Sequence, residues 1–111
     1  MVNITGICNK YQTIQTENIA YFFIKNETTT IMSFDKMEFQ ITQSLDEVHK
    51  LLSPNQFFRV NRQYLLNFAA VREVEHYFSR KLIVKLSVPT QEKLLVGKEK
   101  ATLFLNWLEN R

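Results

Sequence analysis

The chain has 111 residues, of which 45% are hydrophobic and 23% charged, with two Gly, two Pro and one Cys. That composition excludes a disordered or fibrous chain, and the length suits a single domain over residues 1–111, with its core over 14–108, that packs without disulfide or metal staples. The net charge of +3 is unevenly spread: residues 1–54 hold four Lys and six acids, net −2, whereas residues 55–111 hold ten Lys plus Arg and five acids, net +5. A basic C-terminal half suits a polyanionic partner.

From Ile7 to Ile24 the apolar residues Tyr11, Ile14, Ile19, Tyr21, Phe22, Phe23 and Ile24 predict two strands, separated by the polar break Thr16-Glu17-Asn18. Lys25-Asn26-Glu27 makes the next break. Thr28 to Phe34 is rich in β-branched residues and extended, and Met37 to Ile41 alternates with a strand's period of two after a turn at Asp35-Lys36. Ser44 and Glu47 are spaced as a capping box, and Leu45, Val48, Leu51 and Leu52 share one face of the helix that follows. Ser53-Pro54-Asn55 ends it.

Residues 57–67 then read as a strand, a short polar segment and a second apolar piece. Val71–Tyr77 and Lys81–Leu86 predict a hairpin whose tip carries Arg80 and Lys81. Lys93–Val96 is a last short strand, and Ala101, Phe104, Leu105 and Leu108 fall at helical spacing behind Gly97.

Catalysis is not expected. His49 and His76 are not spaced as metal ligands, Cys8 has no second Cys to join it, and Gly6 and Gly97 are too few for a phosphate loop. No metal and no cofactor is expected, and Cys8 reads as a spare thiol compatible with a reducing compartment. No apolar run approaches the ~18 residues that span a bilayer, and the N-terminus shows no basic leader, so the expectation is a cytoplasmic protein without membrane contact. The fourteen aromatic residues fall mostly at apolar periodic positions, where core packing is the default over base stacking.

The centre of the chain is the most informative. In Phe57-Phe58-Arg59-Val60-Asn61-Arg62-Gln63-Tyr64-Leu65-Leu66-Asn67, three side chains that bond base edges or phosphates stand in a row between apolar flanks. This stretch resembles the central motif of the LytTR family, the DNA-binding output domain of many bacterial response regulators, whose usual pattern is F-x-R-[IV]-H-R-S-[YF]-[IL]-V-N. Asn61 stands where the family usually has His, and Gln63 where it usually has Ser. Ile19-Ala20-Tyr21-Phe22, Ser44-Leu45-Asp46-Glu47-Val48 and Val96-Gly97-Lys98 resemble further family segments in the right order, the last with Lys98 where the family usually has Arg.

The resemblance implies a mainly β fold, an elongated arrangement of small antiparallel sheets with two short helices. It implies sequence-specific binding of double-stranded DNA for transcription regulation, with loops entering the major groove. It also implies repeated half-sites bound by a homodimer, and a receiver domain elsewhere in a longer parent chain.

The expected DNA contacts are Asn61, Arg62 and Gln63; Lys98 and Lys100 at the last helix; Arg80 and Lys81 at the hairpin tip; and Lys25, Asn26 and Thr28 in the early loop. For Arg62 the contact weighed is a guanine edge, against a surface carboxylate of the chain itself. Lys98 lacks Arg's planar fork and is expected on phosphate. Arg59 is read as structural or phosphate-binding, Tyr64 as an anchor beneath the polar segment, Asn67 as a backbone-bonding residue, and the loop at Lys25 equally as a plain turn. The reading from a different class is a β-rich protein-interaction module with a basic face and no specific DNA binding.

Overall fold

The computed structural model describes residues 2–5 and 11–110, so Gly6 and Cys8 lie outside the described residues. The strands in chain order are β1 (Val2–Thr5), β2 (Tyr11–Ile14), β3 (Ile19–Lys25), β4 (Thr28–Ser33), β5 (Glu38–Gln40), β6 (Phe57–Arg59), β7 (Tyr64–Asn67), β8 (Val71–His76), β9 (Leu82–Leu86) and β10 (Leu94–Val96). Helix α1 (Leu45–Leu51) lies between β5 and β6, and α2 (Lys98–Glu109) follows β10.

All strand pairs are antiparallel, and they form three sheets: β1-β2, β5-β4-β3-β7-β6 and β10-β9-β8. The body is elongated, 46 × 28 × 24 Å. The mainly β expectation holds, and β1, paired with the expected strand β2, adds an element that the sequence reading did not contain.

The contiguous apolar run of β3 belongs to a strand buried on both faces. Tyr21 and Phe23 point into one core with Tyr64, Leu66, Val84, Val96 and Phe104, while Ile19 and Phe22 point into another with Ile31, Leu45, Val48, Phe57 and Leu65. A shift of register between Ile19 and Tyr21 lets residues three apart share a face, as a β-bulge does. The five-stranded sheet is thus covered by α1 on one side and by the β8–β10 sheet and α2 on the other. Phe104, fully buried, contributes roughly 2–3 kcal/mol through removal of its ring from water.

The local signals act as their chemistry requires. Ser44 Oγ accepts from the Glu47 amide at 3.1 Å and Glu47 Oε1 accepts from the Ser44 amide at 3.2 Å, which closes the capping box of α1. Asn67, buried, donates to the Ile19 carbonyl at 2.8 Å and accepts from the Ala69 amide at 2.9 Å. It therefore joins β7 to the start of β3 and turns the chain toward β8.

Candidate nucleic-acid interface

The segment between β6 and β7 is held by side chains from several elements. Asn61 closes it from within, its Oδ1 accepting from the Gln63 amide at 2.8 Å and from the Tyr64 amide at 3.0 Å, an Asx turn. Its Nδ2 donates to the Leu95 carbonyl at 3.4 Å and so reaches β10. Arg59 holds the loop from the other side: Nε donates to the Asn61 carbonyl at 2.7 Å, Nη2 to the Arg62 carbonyl at 2.8 Å and Nη1 to Asp46 Oδ1 at 2.6 Å. Lys100 Nζ, from α2, donates to the Arg59 carbonyl at 3.3 Å.

Beneath the loop Tyr64 is buried and stacks on Phe23, ring centroids 5.8 Å apart, so the anchor expected there is present. Arg62 and Gln63 are exposed on this rigid base, and the Arg62 guanidinium makes no hydrogen bond or ion pair among the described residues. The carboxylate partner weighed for it is absent within that set.

Strand register gathers the other expected contacts around this loop. The Ile24 amide donates to the Gln63 carbonyl at 3.1 Å, which sets the Lys25–Thr28 turn beside Gln63. The tie to Leu95 leads three residues on to Lys98, exposed in the first turn of α2 behind the N-cap Gly97. Because Val96 pairs with Leu82, the tip formed by Phe78, Ser79, Arg80 and Lys81 lies next to Gly97. Arg80 and Lys81 are exposed there. All ten expected contacts therefore stand at three adjoining turns and in the first turn of α2.

They are not equally available. Asn61 has both ends of its amide engaged by the chain, so the structure gives it loop closure as its main work. Lys25 pairs with Glu38 at 2.8 Å, with side chains 33% and 38% exposed, and the turn after it is a tight one with positive φ at Asn26 (50°) and Glu27 (63°). Thr28 Oγ1 donates back to the Asn26 carbonyl at 3.3 Å, so the turn offers Asn26 outward together with the acid Glu27.

Beside the loop lies an open cleft of about 600 Å³ whose polar lining includes Asp46, His49, Arg59, Asn61, Arg62 and Lys100, over a floor that contains Phe57, Phe58 and Trp107. His49 was not among the expected contacts, because nothing in the linear sequence brings α1 to the 61–63 loop. Although the residue is exposed, its pKa is lowered from the usual 6.5, first by partial desolvation in the cleft and then by the Arg59 and Lys100 cations, with Asp46 opposing. The Asp46 carboxyl is held below its usual range, first by its hydrogen bond from Arg59 and then by that residue's charge. The cleft is thus cationic.

Comparison with known proteins identifies the family of the domain. The family model of the LytTr DNA-binding domain matches residues 9–109. The chain belongs to the LytTr DNA-binding domain family. Transcriptional regulatory protein LytR of Staphylococcus aureus strain N315 is 28% identical over 92 residues, 83% of this chain, and LytR of strain MW2 is equally similar. The chain spans 36% of the length of these curated relatives. The solved LytTr domain of a protein described as a methyl-accepting/DNA response regulator from Bacillus cereus superposes with a TM-score of 0.78 over 96% of this chain and 94% of that one; at 17% identity this likeness shows the LytTr fold. DNA binding is accordingly the function of the domain, and these turns with the start of α2 are its candidate surface.

Proposed function

We propose that the domain binds a preferred sequence of double-stranded DNA to regulate transcription, as the output domain of a two-component response regulator in the cytoplasm. The observation that carries this reading is Arg62: a guanidinium without a partner among the described residues, on a loop whose backbone is fixed by Arg59, Asn61 and Lys100, in a chain of the LytTr DNA-binding family. A planar fork held in one place can give two parallel hydrogen bonds to a guanine edge, which a mobile cation does poorly. Gln63 and Asn26 are the polar side chains that accompany it, with Thr28 supporting the Asn26 turn.

Lys98, Lys100, Arg80 and Lys81 contact the phosphate backbone, where position matters less than charge, and Lys25 adds to that field in spite of its bond to Glu38. Two copies on repeated half-sites double the phosphate contacts, and a receiver domain in a longer parent chain supplies the control. That arrangement accords with the share of the LytR relatives that this chain spans. The domain acts by binding, and no helix among its described residues is long and apolar enough to cross a membrane.

Selection from a pool of random duplexes tests the reading. A recurring motif, bound more tightly than a scrambled duplex of the same length, is the expected result. Binding that falls steeply with salt but enriches no sequence would instead leave a basic interaction module.

A further inference from the structure

Arg59 is the point at which α1 and the 60–63 loop meet. Its three bonds run to two loop carbonyls and to the carboxylate of Asp46 in the first turn of α1. Guanidinium donors leave one plane in fixed directions, so the placement of this group places the Asn61 and Arg62 carbonyls as well. The Arg59 side chain is 16% exposed and that of Asp46 80%. The cation is therefore turned inward on its own loop, and the acid stands outside it as a brace.

Asp46 stands in the first turn of α1, where the helix dipole favours an acid, but that does not account for its bond to Arg59. It is a carboxylate on the rim of a cleft that also presents His49, Arg62 and Lys100, where its charge repels a phosphate chain. An exposed ion pair adds little to folding stability. What the pair does supply is geometry, since it fixes the azimuth of the Arg59 fork and with it the backbone that carries Arg62.

We propose that Asp46 and Arg59 are positioning residues: the pair ties α1 to the recognition loop and sharpens discrimination among DNA sequences without touching DNA. This rests on the DNA-binding reading above. A loop ordered before binding loses less freedom when its bonds to a base edge form. Phosphate contacts tolerate a shift of the backbone, so the benefit falls on the preferred sequence and hardly on others.

The test measures affinity by fluorescence anisotropy for the duplex recovered by selection and for a scrambled one, over a series of salt concentrations, with thermal melts to confirm folding. The proteins are the unaltered domain, Arg59→Lys and Asp46→Ala. Arg59→Lys keeps the charge and loses the fork; it is expected to bind the preferred duplex roughly ten-fold more weakly, a size ordinary for indirect coupling, with the scrambled duplex and its salt dependence unchanged.

Asp46→Ala is the sharper case, because removal of an acid from a DNA-facing rim should by charge alone tighten binding to every duplex. The expected result has mixed signs, weaker on the preferred duplex and slightly tighter on the scrambled one. A gain on both, or full retention of preference in Arg59→Lys, overturns the proposal. Should Arg59→Lys fail to fold, the exposed Asp46 decides alone. Absence of preference in the unaltered domain would overturn the parent reading instead.

Discussion

The loop at 61–63 and the hairpin tip at 78–81 are both exposed and basic, yet their backbones are held in opposite ways. The first is closed by side chains from α1, β6, α2 and its own Asn61. The second is held by backbone bonds of its own hairpin, Lys81 amide to Phe78 carbonyl at 3.2 Å and Tyr77 amide to Lys81 carbonyl at 2.8 Å, with Ser79 and Arg80 at positive φ. Among the described residues, Arg80 and Lys81 have no side-chain bond to the rest of the chain. A base edge has to be met in one geometry, whereas a phosphate can be met in many, so rigid support belongs with reading and loose support with attraction.

The largest expected effect separates the two regions directly. Arg62→Ala should cost ~1–3 kcal/mol on the preferred duplex and much less on unrelated duplexes, as binding titrations would show, with the melting temperature nearly unchanged. Arg62→Lys should lose most of that preference although it keeps the charge. Equal preference in the Lys variant would mean that Arg62 acts as a point charge, and the comparison with the tip would collapse.

Next in size is Asn61→Ala. It leaves two loop amides without their acceptor and cuts the tie to β10, so about 1 kcal/mol of stability should be lost in denaturant titrations, with weaker binding to the preferred duplex. Because an amide carries no proton that titrates between about pH 5 and 8, the difference between this variant and the unaltered domain should stay constant over that range. A difference that changed with pH would point to another group.

How far these roles were legible in the sequence depended on the distance over which each is built. The capping box of α1, the β8–β9 hairpin and the helical face at Phe104 rest on residues within a few positions of one another, and all three appear where the periodicity put them. The Asn61-Arg62-Gln63 row was visible as an anomaly, three polar side chains between apolar flanks. Its support was not, because Asp46 lies thirteen positions from Arg59 and Leu95 thirty-four from Asn61. No local pattern encodes such pairs. Strand β1 escaped for a different reason: Val2–Thr5 has only two strongly strand-forming apolar residues, and its pairing with β2 is what makes it a strand.

The tip and the start of α2 supply a smaller effect of another kind. Neutralising Arg80, Lys81 or Lys98 one at a time to Gln should weaken binding to the preferred and the scrambled duplex alike, and should lower the slope of affinity against salt by about one released counterion each. A loss confined to one sequence would move that residue into the reading class and blur the distinction from the 61–63 loop.

The smallest effect concerns His49, which titrates beside the 61–63 loop. Partial desolvation, then the Arg59 and Lys100 cations, lower its pKa in the folded domain below the usual 6.5, so the unfolded chain takes up the proton first as pH falls. Its contribution to stability is therefore complete above pH 6.5, and it is lost as the pH drops through 6.5 toward the folded pKa. Asp46, also lowered, stays ionised across this window and does not confuse the reading. Melting temperatures taken from pH 7.5 down to pH 5.5 should fall less steeply for His49→Gln than for the unaltered domain, while Lys81→Gln, remote from that cleft, should keep the full slope. Identical slopes for His49→Gln and the unaltered domain would show that α1 does not hold the imidazole against Arg59 of β6 and Lys100 of α2, and the support of the 61–63 loop would then be less tightly assembled than its hydrogen bonds require.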